Sequence, residues 1–163
     1  MAKNATDARC GPFLEKGEGW LKAMMPIFTA TEANGGVKKS FKGVDGKMVY
    51  KNEHWSEKHR RTQLQKGTVL LTLRPHKDSF TLPCDVKLTR YAPRKLDKHD
   101  NLPMSMKYIL DAVCAVITDD YRPGRADSSE QIEVKYDQVV SEKYGVLVEI
   151  NKNCIKKKEG GKE

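Results

Sequence analysis

Acidic side chains are concentrated in one stretch of an otherwise basic chain. Residues 97–137 hold nine Asp/Glu and five Lys/Arg, whereas residues 37–66 hold nine Lys/Arg and three Asp/Glu. Carboxylates are ligands that suit Mg²⁺, and cationic surroundings hold phosphate groups. A metal-dependent nuclease needs this combination of residue types.

A helix predicted over residues 101–118 carries part of this cluster. Its apolar residues recur at intervals of three to four and form one stripe, which contains Leu102, Met106, Ile109, Val113 and Ile117. Asp100 is the predicted N-cap, and at about 100° per residue Asp100, Lys107 and Asp111 share the opposite stripe. Asp100 and Asp111 lie about 16 Å apart along the axis, which is too far to share one metal ion. Lys107 has a long side chain that can reach back toward Asp100.

Asp119 and Asp120 follow this helix, and only the fold can bring them back toward Asp100. Spacing alone leaves a second interpretation open. A capping aspartate, a Lys–Asp pair four residues apart and a turn with two aspartates also occur on solvated surfaces that have no catalytic role.

The motifs of this region resemble those of the RusA family of Holliday junction resolvases. They are the runs RKLDKHDNLPMSMKYILDAV, ITDDYRPGR and IEVKYDQ. The family pattern has a DxDN-type segment before a helix, a helical lysine four residues before an Asp-Ala, a later Asp-Asp, and a strand that often ends in Tyr-x-Gln. The match is strong over residues 97–138, extends weakly back to the helix at Trp55, and leaves residues 1–51 and the C-terminal tail unexplained.

The resemblance implies an α+β fold, with a small mixed sheet packed against two main helices, that works as a homodimer. It also implies endonuclease cleavage of four-way junction DNA with Mg²⁺, or with Mn²⁺ as a substitute. Asp100 corresponds to the second aspartate before the helix, Lys107 to the helical lysine, and Asp120 to the later aspartate, with Asp119 beside it. These assignments make Asp100, Lys107 and Asp120 the implied catalytic residues.

One position departs from the family pattern. Lys98 stands where the family has its first aspartate, and Asp97 and His99 are the nearest substitutes. The implied metal ligands are therefore Asp97, Asp100, Asp119 and Asp120. Lys107 would offset the charge that develops on the phosphate oxygens.

Basic residues around this cluster are candidates for contacts with the junction arms. They lie in the first predicted helix, at the end of a predicted strand and after the aspartate pair: Lys58, Arg60, Arg61, Arg90, Arg94, Lys95, Arg122 and Arg125. A solvated surface role remains open for each of them.

Hydrophobic periodicity predicts the elements that position these residues. A basic amphipathic helix is expected over residues 53–74, with Trp55, Leu64, Leu71 and Val69 as buried candidates. A half-buried strand is expected over residues 80–91, and Pro83 places the start of this strand at a sheet edge. Two further strands, over residues 131–140 and 144–150, are expected to pair with each other. The predicted organisation is a poorly ordered extension over residues 1–52, a RusA-like domain over residues 53–151, and a basic disordered tail over residues 152–163.

Composition limits the remaining function classes. The chain has 163 residues and a formal net charge of +8, which favours binding to polyanions such as nucleic acid or an acidic membrane surface. No apolar run is long enough for a membrane span, and the N-terminus has no secretion signal, so we expect a cytoplasmic protein of a bacterial or phage-infected cell. The four cysteines form no CxxC motif and are expected to be free thiols.

Two alternatives to a junction endonuclease remain. One is a non-catalytic DNA-binding protein of the same fold whose metal site is impaired, as Lys98 suggests. The other is a small basic protein that binds RNA or a protein partner through its lysine-rich termini. The sequence has no G-x-S-x-G or P-loop motif, and a serine or cysteine hydrolase is not expected.

Overall fold

A computed structural model describes residues 11–30, 38–122 and 130–152. The main sheet has five strands in the order β1-β2-β7-β5-β6, where β1 is Phe13–Gly17, β2 is Trp20–Met25, β5 is Cys84–Ala92, β6 is Ile132–Val140 and β7 is Gly145–Lys152. Three helices accompany it: α1 (Trp55–Leu73), α2 (Asn101–Ser105) and α3 (Lys107–Thr118). The predicted α+β class and the mixed sheet are confirmed.

The sheet buries one face beneath α1 and α3. Alternate residues of the central strands, such as Val86, Leu88 and Val148, are completely buried with Val69 of α1 and Val113 of α3. The opposite face carries ion pairs, with Lys22 Nζ 2.8 Å from Glu149 Oε1 and Lys87 Nζ 3.2 Å from Asp137 Oδ2. This alternation is the expected pattern of a sheet with one solvated face.

The expected pairing of the last two strands is wrong, because β5 lies between them. β6 runs parallel to β5, and β7 runs antiparallel to β5 on its other side. The chain leaves β5, passes through α2 and α3, and returns to the start of β5, so β6 must run in the same direction as β5. The segment between β6 and β7 then crosses the end of β5, where the Ser141 amide donates to the Ala92 carbonyl at 3.0 Å.

The expectation of a poorly ordered extension over residues 1–52 is wrong for β1 and β2. β2 pairs with β7, and Leu21, Ala23 and Met25 point into the core with at most 1% of their surface exposed. The folded domain therefore begins well before residue 53. The described part of the predicted C-terminal tail is Lys152 alone, which ends β7, and the remaining tail residues lie outside the described part of the chain.

The buried face of α1 also differs from the prediction. Of the four candidates only Val69 is buried, while Trp55, Leu64 and Leu71 are 74%, 63% and 81% exposed. The buried stripe is Thr62, Gln65, Val69 and Leu73. Gln65 occupies a core position because its Nε2 donates to the Phe28 carbonyl at 2.7 Å, which satisfies a buried polar group.

The helix predicted over residues 101–118 is divided at Met106, whose φ of -115° and ψ of 7° are not helical. The Ser105 hydroxyl donates back to the Leu102 carbonyl at 2.8 Å, and the Met106 amide bonds to Pro103 at 3.1 Å instead of continuing the α-helical ladder. The apolar stripe is confirmed, since Leu102, Met106, Ile109 and Val113 are all buried.

Residues 38–52 form a separate two-stranded sheet, with β3 (Lys38–Lys42) antiparallel to β4 (Met48–Asn52). No helix among the described residues is both long and apolar enough to cross a membrane. Cys84 and Cys114 are buried free thiols, as predicted, and burial raises the pKa of Cys84 to about 11. Cys10 and Cys154 lie outside the described residues.

Candidate functional site

The turn of residues 97–100 joins the end of β5 to α2. Asp97 Oδ1 accepts hydrogen bonds from the amides of His99 at 2.8 Å and Asp100 at 3.2 Å. The bond from His99, followed by the bond from Asp100, lowers the pKa of the Asp97 carboxyl. The Asp97 carbonyl also accepts from the Leu102 amide at 2.9 Å. Asp97 is therefore a fully ionised carboxylate at neutral pH that organises the start of α2.

Asp100 occupies the predicted N-cap position of α2, but its side chain makes no capping hydrogen bond. Its carboxylate is exposed, as is that of Asp97. The side chain that orders the turn is thus Asp97, three residues earlier than predicted. The 97–100 turn presents two exposed carboxylates next to the first residues of α2.

Gln138 of β6 holds the residue before this turn. The Leu96 amide donates to Gln138 Oε1 at 2.8 Å, and Gln138 Nε2 donates to the Leu96 carbonyl at 2.7 Å. One side chain therefore satisfies both backbone groups of Leu96 and ties the turn to the sheet. Gln138 is the glutamine of the Tyr-x-Gln motif, but it is not among the predicted site residues.

Asp137 lies beside the same turn and was also not among the predicted site residues. Its pKa is lowered by a hydrogen bond from the Gln138 amide, by a hydrogen bond from Lys87, and by the charges of Lys87 and Lys98. Lys98, the residue that replaces the family's first aspartate, therefore lies within electrostatic range of Asp137. The two carboxylates of the turn and that of Asp137, together with Lys87 and Lys98, give this surface a mixed charge.

Lys107 is the first residue of α3, and its side chain is exposed. The break at Met106 means that Lys107 does not continue the helix that begins after Asp100. The predicted stripe of Asp100, Lys107 and Asp111 assumed one continuous helix, and this assumption is wrong. Lys107 remains on the exposed side of the α2–α3 junction.

The structure does not bring Asp119 and Asp120 to the 97–100 turn. They follow α3, whose 12 residues span about 18 Å at 1.5 Å per residue. Asp119 lies 3.6 Å from Lys77, which precedes β5, whereas Asp97 follows β5. The two pairs of aspartates are therefore at opposite ends of both α3 and β5.

Both residues of the Asp119–Asp120 pair lie beside basic side chains, Lys77 for Asp119 and Arg122 for Asp120. Asp119 ends α3 in the left-handed conformation, with φ of 52°, a region that Asp tolerates better than most residues. Asp120 binds Arg122 through both carboxylate oxygens, with Arg122 Nη2 2.6 Å from Oδ2 and Arg122 Nε 2.9 Å from Oδ1. Arg122, a predicted DNA contact, is thus occupied by Asp120.

Among the described residues, the 97–100 turn is the candidate position for the Mg²⁺ that the resemblance implies. Mg²⁺ commonly keeps several waters and binds through one or two carboxylates plus substrate phosphates, which suits Asp97 and Asp100. Across the described ranges, no three His, Cys, Asp or Glu side chains form a group that could hold a metal ion. Asp119 and Asp120 do not belong to this set within one chain.

Two of the predicted DNA contacts have structural roles. Arg90 is only 4% exposed, and it donates to Thr29 Oγ1 at 2.8 Å and to the Arg94 carbonyl at 2.7 Å. Arg61 makes a two-bond ion pair with Glu53, at 2.8 and 3.2 Å, in which both side chains are nearly buried. Neither guanidinium faces solvent in the way that a phosphate contact requires.

The remaining predicted DNA contacts are mostly at the surface. Arg60, Arg94 and Lys95 are exposed and Lys58 is half-buried, while Arg125 lies outside the described residues. Arg94 and Lys95 precede the 97–100 turn along the chain, with Leu96 between them and the turn.

Comparison with models of known protein families and with curated protein sequences gives no match.

Proposed function

We propose that this protein is a Mg²⁺-dependent endonuclease that cuts four-way DNA junctions as a homodimer, with the 97–100 turn as its reactive site. The observation that carries the proposal is the position of this turn: its two carboxylates are exposed, and Gln138 ties the residue before it, Leu96, to the carboxyl ends of the parallel strands β5 and β6. In open sheets with parallel strands, ligands commonly bind beyond those ends. The resemblance over residues 97–138 supplies the reaction type, and a basic chain of net charge +8 suits a DNA substrate.

The side chains of this site have distinct proposed roles. Asp97 and Asp100 would hold Mg²⁺, or Mn²⁺ in its place, and the bound ion would supply charge neutralisation at the phosphate and lower the pKa of an attacking water. Lys107 would lie against the scissile phosphate and offset its charge. Gln138 is a positioning residue, because it acts on the turn through Leu96. Arg94 and Lys95 would bind the flanking phosphates.

A homodimer is part of the proposal because a four-way junction is itself approximately two-fold symmetric. An exposed apolar surface on one side of the molecule supports it. Phe28 and Leu64 line one groove between β2 and α1, and Leu71 lies two turns further along the same side of α1.

The double substitution Leu64→Asp/Leu71→Asp tests this interface. It should give a monomer by light scattering, and Gln63→Asp is the control at an exposed position of the same helix. If the double variant remains a dimer, the interface lies elsewhere.

A second candidate is a DNA-binding protein of the same fold that does not cleave. The observation that favours it is the separation of the four aspartates. Asp119 and Asp120 are paired with Lys77 and Arg122 at the far end of α3, and Lys98 replaces a carboxylate at the near end. In this case junction binding persists and Mg²⁺ has no effect on the DNA.

The deciding experiment is cleavage of a synthetic four-way junction under single-turnover conditions, with Mg²⁺, with Mn²⁺ and with EDTA. The proposal expects metal-dependent, paired nicks at symmetric positions, with linear duplex of the same sequence cut far more slowly. Binding without cleavage in both metals would favour the non-catalytic candidate. Binding of RNA in preference to junction DNA would reject both.

A further inference from the structure

The hairpin of β3 and β4 concentrates positive charge on a small, separate element. Its 15 residues hold five lysines and one aspartate, so it carries +4, half of the net charge of the chain. It forms a sheet of its own, and no described strand of the main sheet pairs with it. Isolated two-stranded hairpins are marginally stable in water. An element of this kind gains stability when it binds a partner.

The strand register places lysine and apolar side chains on both faces of the hairpin. Phe41 pairs with Val49, and Lys51 Nζ lies 5.3 Å from the centre of the Phe41 ring, so these residues share one face. Lys42 pairs with Met48 on the other face, and both are exposed. A ribbon that lies on a flat protein or membrane surface buries one face, whereas this ribbon is suited to a partner on each side.

Two backbone hydrogen bonds close the tip of the hairpin. The Gly43 amide donates to the Lys47 carbonyl at 2.8 Å, the Gly46 amide donates to the Gly43 carbonyl at 2.9 Å, and Gly46 has a φ of +75° that favours glycine. Val44, which follows Gly43 in this turn, is fully exposed. The Lys47 side chain beside it is also exposed.

The base of the hairpin is anchored to the folded domain. Glu53 follows β4 directly and makes a nearly buried ion pair with Arg61, which lies six residues after the start of α1 at Trp55. This ion pair ties the end of β4 to α1. The hairpin is therefore an arm with a fixed base and exposed sides.

From these features we propose that the β3–β4 hairpin is a DNA-binding arm that enters the major groove of a duplex arm of the junction. The major groove is about 12 Å wide and admits a two-stranded ribbon. Within it Lys42 and Lys51, on opposite faces, reach the phosphates of the two strands that border the groove. Val44, at the tip between the two faces, provides an apolar contact to the base edges, such as thymine methyl groups. This inference rests on the proposed function only for its substrate class, double-stranded DNA.

The test measures binding in EDTA, so that cleavage plays no part. Fluorescence anisotropy of the full chain on linear duplex and on a four-way junction is recorded over a range of salt concentrations. The variant K42Q/K47Q/K51Q is compared with K16Q/K135Q/K143Q, which removes three exposed lysines elsewhere. The hairpin variant should lose roughly 2 to 3 from the slope of log K against log salt on both DNAs, from about 0.9 for each phosphate contact. The control should keep most of the slope.

Groove entry is tested by competition. Methyl green, which occupies the major groove, should displace the parent protein and V44D should bind duplex more weakly, whereas netropsin in the minor groove should have no effect. Equal slopes for the hairpin and control variants, or insensitivity to methyl green, would overturn the inference. The inference would also be overturned if the hairpin substitutions weakened binding to anionic vesicles but left binding to DNA largely unchanged. To separate lost binding from unfolding, each variant must keep the melting temperature and circular dichroism spectrum of the parent. A second variant, in which a Gly-Ser linker replaces residues 38–51, must show the same decrease in the salt slope.

The outcomes of this test and of the cleavage test are separable. A protein that binds DNA through the hairpin but cuts nothing in Mg²⁺ or Mn²⁺ keeps this inference and rejects the endonuclease. A protein that cuts junctions but binds them equally well without the hairpin lysines keeps the endonuclease and rejects this inference.

Discussion

Gln138→Ala tests how the 97–100 turn is held. The substitution removes both hydrogen bonds to Leu96, at 2.8 and 2.7 Å, and leaves a partly buried amide and carbonyl without their partner. At about 1 kcal/mol net for each bond, we expect a loss of about 2 kcal/mol in the free energy of unfolding. For a chain of 163 residues this is a fall of roughly 4–8 °C in Tm. Gln138→Glu should not rescue, because a carboxylate cannot donate to the Leu96 carbonyl.

The assay combines urea denaturation with hydrogen exchange at the Leu96 amide. Exchange at Leu96 should accelerate in Gln138→Ala more than exchange in the middle of β5, because the turn opens locally. Junction cleavage should fall by about 10²-fold, the scale expected when reacting groups are misplaced by about 1 Å, while DNA binding stays unchanged. Gln63→Ala, an exposed glutamine of α1, is the matched control. Parent-like stability and Leu96 exchange in Gln138→Ala would refute the argument that this side chain fixes the turn.

Three further predictions concern packing, a buried cation and pH. Leu73→Ala should cost about 2–5 kcal/mol of unfolding free energy, because Leu73 is fully buried, whereas Leu71→Ala should stay within about 0.5 kcal/mol; equal urea midpoints would contradict the observed face of α1. Arg90→Lys should lower stability by about 1–3 kcal/mol without changing DNA affinity, because an ammonium cannot reproduce the two bonds of the guanidinium; a salt-dependent loss of DNA binding with normal stability would restore Arg90 as a DNA contact. The hydrogen bonds to Asp97 lower its pKa in the folded state, so their stabilising contribution is present above the unfolded value of about 3.9 and is lost as the pH falls through the folded pKa. Asp97→Asn should therefore flatten the dependence of stability on pH below about pH 4, and an identical acid limb in urea titrations of both proteins would contradict this.

Regular periodicity explains what could be predicted from the sequence. In α3 the apolar spacing of three to four residues coincides with the buried face, and in β5 the alternation of Cys84, Val86 and Leu88 coincides with the core side. At these inward positions the side chains are apolar, so pattern and packing agree, whereas the next inward position of β5 is Arg90. In β2 the same alternation of Leu21, Ala23 and Met25 is short, with glycines before it and Pro26 after it, and these residues predict a poorly ordered extension.

The remaining differences arise where polar groups take buried positions. Gln65 and Thr62 occupy the inner face of α1, which displaces Leu64 and Leu71 to the surface and reverses the predicted face. Arg61 and Arg90 resemble surface cations in sequence, but each is buried with partners that lie 8 and 61 residues away. Partners this distant are set by tertiary structure, and periodicity carries no information about them.

The candidate site shows the same limit. The aspartates of the 97–100 turn follow from local motif and turn chemistry, because Asp97 bonds to amides two and three residues later. The helix ends at Thr118 as predicted, but the sequence does not show which part of the fold this end meets, and Asp119 lies beside Lys77, away from the turn. Gln138 acts across 42 residues, and only the parallel pairing of β5 and β6 brings it to Leu96.

The central claim is that the 97–100 turn is the reactive site, and single-turnover cleavage of a four-way junction by Asp97→Asn/Asp100→Asn tests it most directly. With protein and Mg²⁺ saturating, the parent should nick the junction, and the double variant should cut at least about 10²-fold more slowly while binding the junction at least as tightly, since two negative charges near the phosphates are removed. Asp119→Asn/Asp120→Asn serves as the comparison of equal charge change. The claim is contradicted if the 97/100 variant cuts at the parent rate, or if only the 119/120 variant loses cleavage.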